Sequence, residues 1–229
     1  LTDDELREVA ALACEFRQRV HNQLTEIAPG EFKPRLIGVG GMTEHAAVDL
    51  RGQSREILPK DDRLNRESVV GAVTGLVVIN RDGVSVGGDL VLVQALAFPG
   101  PSGVEVTGLH GNVLRDSVLT AYNIVRARFR EFGISDQRFR DTKVAVHLVR
   151  IAQPREGPSA GLAFVIGIVS ALTGRPVRPA CAMTGEVTLH GEVIGVGGVA
   201  HKITAAFRAG RKLILFPAEN AKEAAQAPE

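Results

Sequence analysis

Ser159 stands where a polar turn gives way to a long apolar run, and this position makes it a candidate nucleophile. Gly157 and Pro158 predict the turn, and the run after them predicts a helix over roughly 159–172. At the start of a helix, unpaired backbone N–H groups and the helix dipole favour negative charge, such as that of a tetrahedral oxyanion. Serine is also a favoured helix N-cap, and the local pattern alone favours that structural role.

A serine nucleophile needs a base, and Lys202 is the candidate for that role. None of the six histidines stands in a serine-hydrolase motif, and the G-x-S-x-G spacing is absent. Lys202 follows the glycine-rich turn at 195–198, at the start of a helix predicted over 199–209. The helix dipole and burial would both lower its pKa, so that a partly neutral amine could accept the serine proton. The alternative is a surface lysine whose ammonium group reaches solvent.

Two further residues could support this chemistry. The Thr184 hydroxyl could orient the lysine amine, although threonine is also simply a good strand residue. Glu156 could act as an acid, although a solvated carboxylate in a turn is the more common case.

The sequence carries no motif for phosphate or metal chemistry. The glycines at 195–198 fit neither the P-loop spacing nor the Rossmann G-x-G-x-x-G, and no C-x-x-C or H-x-x-x-H pair appears. A formal net charge of +1 gives no argument for a nucleic acid or a membrane surface as partner. We therefore expect this chain to bind no cofactor and no metal.

The two cysteines and the absence of a secretory leader predict a reducing compartment. Cys14 and Cys181 lie in different local contexts and are expected to be small buried apolar residues. No apolar segment is long enough to span a bilayer, so a cytoplasmic location is expected. The chain begins with Leu1, which suggests a fragment of a longer polypeptide.

The strands and helices mix irregularly, which predicts an α+β fold rather than a repeated parallel βαβ array. Residues 1–28 predict one amphipathic helix, ended by Pro29 and Gly30. Turns are predicted at Asp82–Gly83 and Gly87–Gly88. The remaining predicted elements are strands at 69–80, 87–100, 104–111, 143–151 and 212–217, a helix at 112–132 and a hairpin within 181–197.

Two long motifs together resemble the proteolytic domain of the Lon family of Ser–Lys proteases. "QPREGPSAG" resembles the nucleophile motif P-K-D-G-P-S-A-G, and "MTGEVTLHGEVIGVGGVAHKITAAFRAG" is similar to the lysine segment of that family. The resemblance covers roughly residues 69–222. It leaves an N-terminal helical arm or linker at 1–30, an unassigned connecting segment at 31–68 and a polar tail at 223–229.

The resemblance implies a role for each matching residue. Ser159 matches the nucleophile, Lys202 the general base, and Thr184 the threonine that hydrogen-bonds the lysine. His147 matches a histidine that lies near the site in many relatives. The implied fold is the compact α+β Lon protease fold, related to the second domain of ribosomal protein S5, and the implied assembly is a six-membered ring.

Three residues depart from the family pattern, and none of them removes the serine or the lysine. Glu156 replaces an aspartate in the nucleophile loop, Gln94 replaces a glutamate, and Ala145 replaces the first histidine of an H-x-H pair. Lon proteins normally carry an ATPase module, and this chain has no P-loop. ATP and magnesium are therefore expected only if a motor domain is attached in the full-length protein.

The sequence predicts a Ser–Lys endopeptidase that cleaves unfolded or flexible polypeptides. The main alternative is a non-catalytic module for oligomerisation or substrate docking that retains the protease fold. A small-molecule kinase of related α+β shape is disfavoured because the sequence lacks a phosphate-binding loop.

Overall fold

The structure is a computed structural model that describes residues 24–30, 33–38, 67–81, 84–108, 112–149 and 157–227. The predicted helix before residue 24, the turn at Asp82–Gly83, Cys14 and Glu156 lie outside the described residues. Within these ranges the chain is a mixture of helices around a mixed β-sheet, which confirms the α+β prediction.

The described strands are β1 (Leu24–Gly30), β2 (Lys33–Gly38), β3 (Ala72–Arg81), β4 (Val84–Pro99), β5 (Gly103–Thr107), β6 (Thr142–Val149), β7 (Cys181–Met183), β8 (Glu186–Val187), β9 (Val193–Ile194) and β10 (Leu213–Pro217). The described α-helices are α1 (Asn112–Arg128), α2 (Asp136–Arg140), α3 (Gly161–Thr173), α4 (Val199–Arg208) and α5 (Ala221–Ala224). Two 3₁₀ turns, Pro158–Ala160 and Ala218–Asn220, lead into α3 and α5.

The main sheet has the spatial order β2-β1-β10-β7-β3-β4-β6-β5. The pairs β10–β7, β7–β3 and β6–β5 are parallel, and the other pairs are antiparallel. β8 and β9 form a separate two-stranded ribbon. The short strand β7 therefore lies in the middle of the sheet, between two longer neighbours.

Two helices cover opposite faces of this sheet. α3 is buried along nearly its whole length, in agreement with its mostly apolar sequence, and it shares one core with Val73, Val91 and Val93. α4 buries one stripe on the other face, where a second core contains Leu76 and Phe216. Residues that alternate along β3 thus face different helices, because successive strand side chains point to opposite faces.

The prediction of a helix over 1–28 is wrong at its C-terminal end, because Leu24–Gly30 forms strand β1. This strand pairs antiparallel with β10 on one side and with β2 on the other. An apolar stripe at helical spacing is a weak local preference, and hydrogen bonding to two strand neighbours overrides it.

The predicted hairpin within 181–197 is correct only in part. β8 and β9 pair as an antiparallel ribbon, but Cys181–Met183 leaves it and joins the main sheet as β7. The three residues of β7 are buried, which accounts for their continuous apolar sequence.

The prediction of a turn at Gly87–Gly88 is also wrong, because both glycines lie inside β4. A Cβ at Gly88 would stand 2.3 Å from the His201 carbonyl oxygen and 2.8 Å from the Lys202 backbone nitrogen. Gly88 therefore lets the backbone of α4 approach the sheet at the turn that carries Lys202.

Replacing Gly88 with alanine should force α4 away from β4, because the atoms in its way are backbone atoms that cannot rotate aside. We expect Gly88→Ala to lower the free energy of unfolding by about 3 kcal/mol, as overpacking does. Gly87→Ala is the matched control, since its Cβ would meet only the Ile79 Cδ1 atom at 4.0 Å. Urea unfolding of both variants checks this, and an equal loss of stability in the two would contradict it.

Candidate active site

Ser159 lies in the 3₁₀ turn that leads into α3, and its side chain caps neither element. The N-cap residues are Gly157 for the turn and Ala160 for α3, and neither makes a side-chain capping bond. The Ser159 hydroxyl makes no hydrogen bond with any other described residue. The structural role that the local sequence favoured is therefore not the one this serine performs.

The backbone of Ser159 is fixed by the segment that follows β7. Its carbonyl oxygen accepts the Gly185 N–H at 2.8 Å and the Thr184 hydroxyl at 3.1 Å. Gly157, with φ of 146°, adopts a conformation that suits glycine and turns the chain into Pro158. The serine is thus held by its main chain while its partly buried side chain stays free.

This contact lies where the sheet is interrupted. β7 ends at Met183, while β3 continues to Arg81 and β10 to Pro217. Beyond Met183 no strand fills the space between these two neighbours in the described sheet. The chain after Met183 still contacts β10, because the Thr184 N–H donates to the Leu215 carbonyl oxygen at 3.0 Å.

Lys202 belongs to the buried stripe of α4, together with Val199, Ile203 and Ala206. None of its surface is exposed, and its Nζ atom has no hydrogen-bond partner among the described residues. Burial lowers the pKa of Lys202 from 10.5 to about 8, and the negative charge of Glu223 acts in the opposite direction. At pH 7 roughly a tenth of the molecules therefore carry a neutral amine.

The structure gives Thr184 a different partner from the expected one. Thr184 is fully buried, and its hydroxyl donates to the Ser159 carbonyl oxygen. The hydrogen bond expected between Thr184 and the Lys202 amine is absent among the described residues, since Nζ has no partner there. Thr184 thus fixes the backbone of the serine turn.

His147 is not linked to Ser159 or Lys202 by any described hydrogen bond. It lies on β6 beside Gln94 of β4, and its Nδ1 atom is 2.9 Å from the Thr107 hydroxyl oxygen. Ala145 lies two residues earlier on the same strand, paired with Leu96. The departures at Gln94 and Ala145 therefore sit next to His147 and not in the Ser159 turn.

A cavity of about 280 Å³ opens beside the serine turn. Its walls come from one face of α1, the start of α3 and the ribbon strand β8. The lining residues are Val113, Asp116, Ser117, Thr120, Pro158, Gly161, Glu186 and Val187.

The described ranges contain no group of three or more histidine, cysteine, aspartate or glutamate side chains that could hold a metal ion. None of the helices in these ranges has the length and apolar character needed to span a bilayer.

Comparison with known sequences assigns the chain to a family. Residues 42–229 match the family described as Lon protease (S16) C-terminal proteolytic domain, so the match includes residues 42–68, which the sequence left unassigned. The Lon protease of Chloroflexus aggregans is 37% identical over 223 residues, which cover 97% of this chain and 25% of the relative. The Lon protease of Brucella suis is 43% identical over 73% of this chain and 20% of the relative. The Lon protease of Azorhizobium caulinodans is also 43% identical, over 72% of this chain and 19% of the relative. The resemblance seen in the motifs is confirmed, and the chain spans a quarter or less of these relatives.

Removing the buried charge of Lys202 should stabilise the fold at neutral pH. The pKa of Lys202 is about 8 in the folded chain and 10.5 in an unfolded one, so the unfolded chain binds the proton more tightly. Protonation therefore lowers the free energy of unfolding, and this loss is complete below about pH 8. We expect Lys202→Met to raise the free energy of unfolding at pH 7 by about 2 kcal/mol. This advantage should vanish as the pH rises from 8 to 10.5.

Urea unfolding at several pH values measures this difference. Lys212→Met is the control, because Lys212 is exposed and its loss should change stability little at any pH. A Lys202→Met variant that is less stable than the wild type at pH 7 would contradict the assignment of an unpartnered buried amine.

Proposed function

The chain belongs to the Lon protease family, and from this premise we propose that it is a serine peptidase in which Ser159 is the nucleophile and Lys202 the general base. The observation that carries the proposal is the burial of the Lys202 amine without a hydrogen-bond partner. An unpaired buried lysine costs stability, and a strongly perturbed pKa in such a place is typical of a catalytic group.

The state of Ser159 supports its role as nucleophile. Its hydroxyl is committed to no capping bond, while its backbone is fixed by Thr184 and Gly185. Such a fixed main chain with a free side chain is the preorganisation that a nucleophile needs. The Ser159 N–H is at the start of the 3₁₀ turn, where backbone N–H groups have no partner within the turn. We propose this N–H as a hydrogen-bond donor to the oxyanion.

The interrupted sheet supports the pairing of the two residues. Ser159 is attached to the segment after β7, and Lys202 lies on the helix that covers the other face. Because no described strand continues β7 between β3 and β10, we infer that the Lys202 side chain reaches the serine turn at this point of the sheet.

In the proposed reaction, Lys202 takes the proton of the Ser159 hydroxyl and later passes it to the departing amine. The Ser159 Oγ attacks the scissile carbonyl while the neutral Lys202 amine takes the hydroxyl proton. The resulting ammonium group gives this proton to the departing amine, which leaves an acyl-enzyme. Lys202 then activates a water that hydrolyses the ester and restores the serine.

We propose unfolded or flexible polypeptides as substrates, with no cofactor bound by this chain. The cavity beside the turn has room for one side chain of such a substrate, next to the bond that is cleaved. A six-membered ring, a cytoplasmic location and an ATPase module on the same full-length chain belong to the same proposal. They rest on the family, since the matched part of this chain covers only 20–25% of the compared members.

Replacing either residue of the proposed pair should abolish peptide-bond cleavage. We expect Ser159→Ala and Lys202→Met each to lower kcat/KM on an unfolded protein by at least about a thousandfold, because nucleophile and base act as one unit. Ser68→Ala and Lys212→Met are the controls, since both side chains are exposed, and they should cleave like the wild type. A β-lactone inhibitor should label Ser159, as read by mass spectrometry, and cleavage that persists in either active-site variant would refute the pair.

The activity should also report the protonation state of Lys202. Because the neutral amine is the base, kcat/KM should rise with pH and reach half of its plateau near the lysine pKa of about 8. Initial rates on a short peptide across this range measure the profile. A rate that is flat, or that falls as the pH rises through 8, would exclude Lys202 as the base.

A further inference from the structure

The start of α4 has no cap of its own. Its N-cap residue is Gly198, with φ of 69°, which offers no side chain to the first backbone N–H groups. The turn before it, residues 195–198, likewise presents N–H groups outside any described helix. Such donors need partners from elsewhere in the fold when they are shielded from water.

Three side chains from the C-terminal segment supply these partners. Glu219 accepts the Gly195 N–H at 2.7 Å, and Asn220 accepts the Val196 N–H at 2.9 Å while donating to the Val196 carbonyl at 2.7 Å. Glu223 accepts the Val199 N–H, in the first turn of α4, at 2.7 Å. We call Glu219, Asn220 and Glu223 the C-terminal clamp.

We propose that Glu223 is a positioning residue for Lys202, which it serves by fixing the first turn of α4 and by keeping a negative charge next to the buried amine. Its two carboxylate oxygens are both engaged, one by Val199 and the other by the Asn220 amide at 3.2 Å. The carboxylate therefore has a single orientation, held from both sides. Its catalytic consequence rests on the proposed function.

The charge of Glu223 acts on the amine more than that of its neighbours. Among the described side chains, the other charged or titratable residues on α4 and on the elements around it are Glu219 and Lys222 on the C-terminal segment, His201 and Arg208 on α4 and Asp89 on β4. Strand β10, which also packs on α4, contributes only apolar residues. Apart from burial, Glu223 alone shifts the pKa of Lys202, and it raises it.

This opposition between burial and charge has a chemical consequence. Burial favours the neutral amine and makes it a weaker base, whereas the Glu223 carboxylate favours the ammonium form, and the two effects together leave the pKa of Lys202 at about 8. A group that must first take a proton and then return it works best with a pKa near the working pH. A carboxylate at the first turn is also favoured by the dipole of α4.

The test separates the charge of Glu223 from its shape. Glu223→Gln keeps an oxygen for the Val199 N–H but loses the charge, and we expect the pH at half-maximal kcat/KM to fall by about one unit. Glu223→Asp keeps the charge and should stay closer to the wild type in this midpoint. Glu219→Gln is the matched control, because Glu219 belongs to the clamp but does not shift the pKa of Lys202, and its midpoint should not move.

The same shift should be visible without any substrate. In the intact chain labelled with ¹³C at the lysine Cε atoms, the Lys202 signal is assigned by its loss in Lys202→Met and then titrated by NMR. We expect its midpoint to fall in Glu223→Gln and to stay unchanged in Glu219→Gln. An identical Lys202 midpoint in the wild type and in folded Glu223→Gln would overturn the proposal.

This readout distinguishes the two proposals from each other. If the wild-type chain cleaves, and Ser159→Ala does not, an unshifted Glu223→Gln refutes only the positioning role. If no cleavage depends on Ser159 or Lys202, the proposed function fails, and the NMR titration still decides whether Glu223 sets the protonation of the lysine.

Discussion

The burial of one ammonium group is the constraint on which the rest of this structure depends. Lys202 is placed on an apolar stripe, without exposure and without a described hydrogen-bond partner for its Nζ atom. A lysine in that environment is destabilising in its charged form, so the surrounding fold must hold it there against its own tendency to reach water.

Several unrelated parts of the chain contribute to that restraint. Gly88 on β4 allows the α4 backbone to lie directly against the sheet, and the C-terminal clamp supplies the cap that Gly198 cannot provide. On the other side, Thr184 and Gly185 fix the main chain of Ser159 and leave its hydroxyl free. Strand β7 ends at Met183, directly before Thr184. In the proposed function, these features together preorganise the site for nucleophilic chemistry.

The sequence revealed the two chemical groups better than their supports. In the sequence, Ser159 and Lys202 each lie where turn residues give way to an apolar run. This local pattern predicted both residues at the start of a helix, and the structure places them there. The pair Gly87–Gly88 was interpreted as a turn because glycine pairs usually predict one. Gly88 is instead needed because the backbone of α4, more than a hundred residues later in the sequence, leaves no room for a Cβ atom. Glu223 was missed for the same reason: a carboxylate in a polar tail shows no local sign that it caps a distant helix.

Strand β1 illustrates the remaining limit of local reasoning. Residues 24–28 fit a helical stripe, yet they pair with β10 and β2, and the hydrogen bonds of that pairing are not encoded in their own spacing. The hydrogen bond of Thr184 was predicted from the family and is made instead to the serine carbonyl. The motifs thus singled out Ser159, Lys202 and Thr184, whereas the hydrogen-bond partner of Thr184 depends on tertiary contacts that local sequence does not show.

A crystal structure of the chain with a covalent serine inhibitor tests most directly whether Lys202 serves Ser159 as its base. We expect an adduct on Ser159 Oγ, with the Lys202 Nζ atom within hydrogen-bonding distance of that oxygen, about 3 Å. An adduct on another residue, or a Lys202 side chain turned away from Ser159 in the adduct, would contradict it.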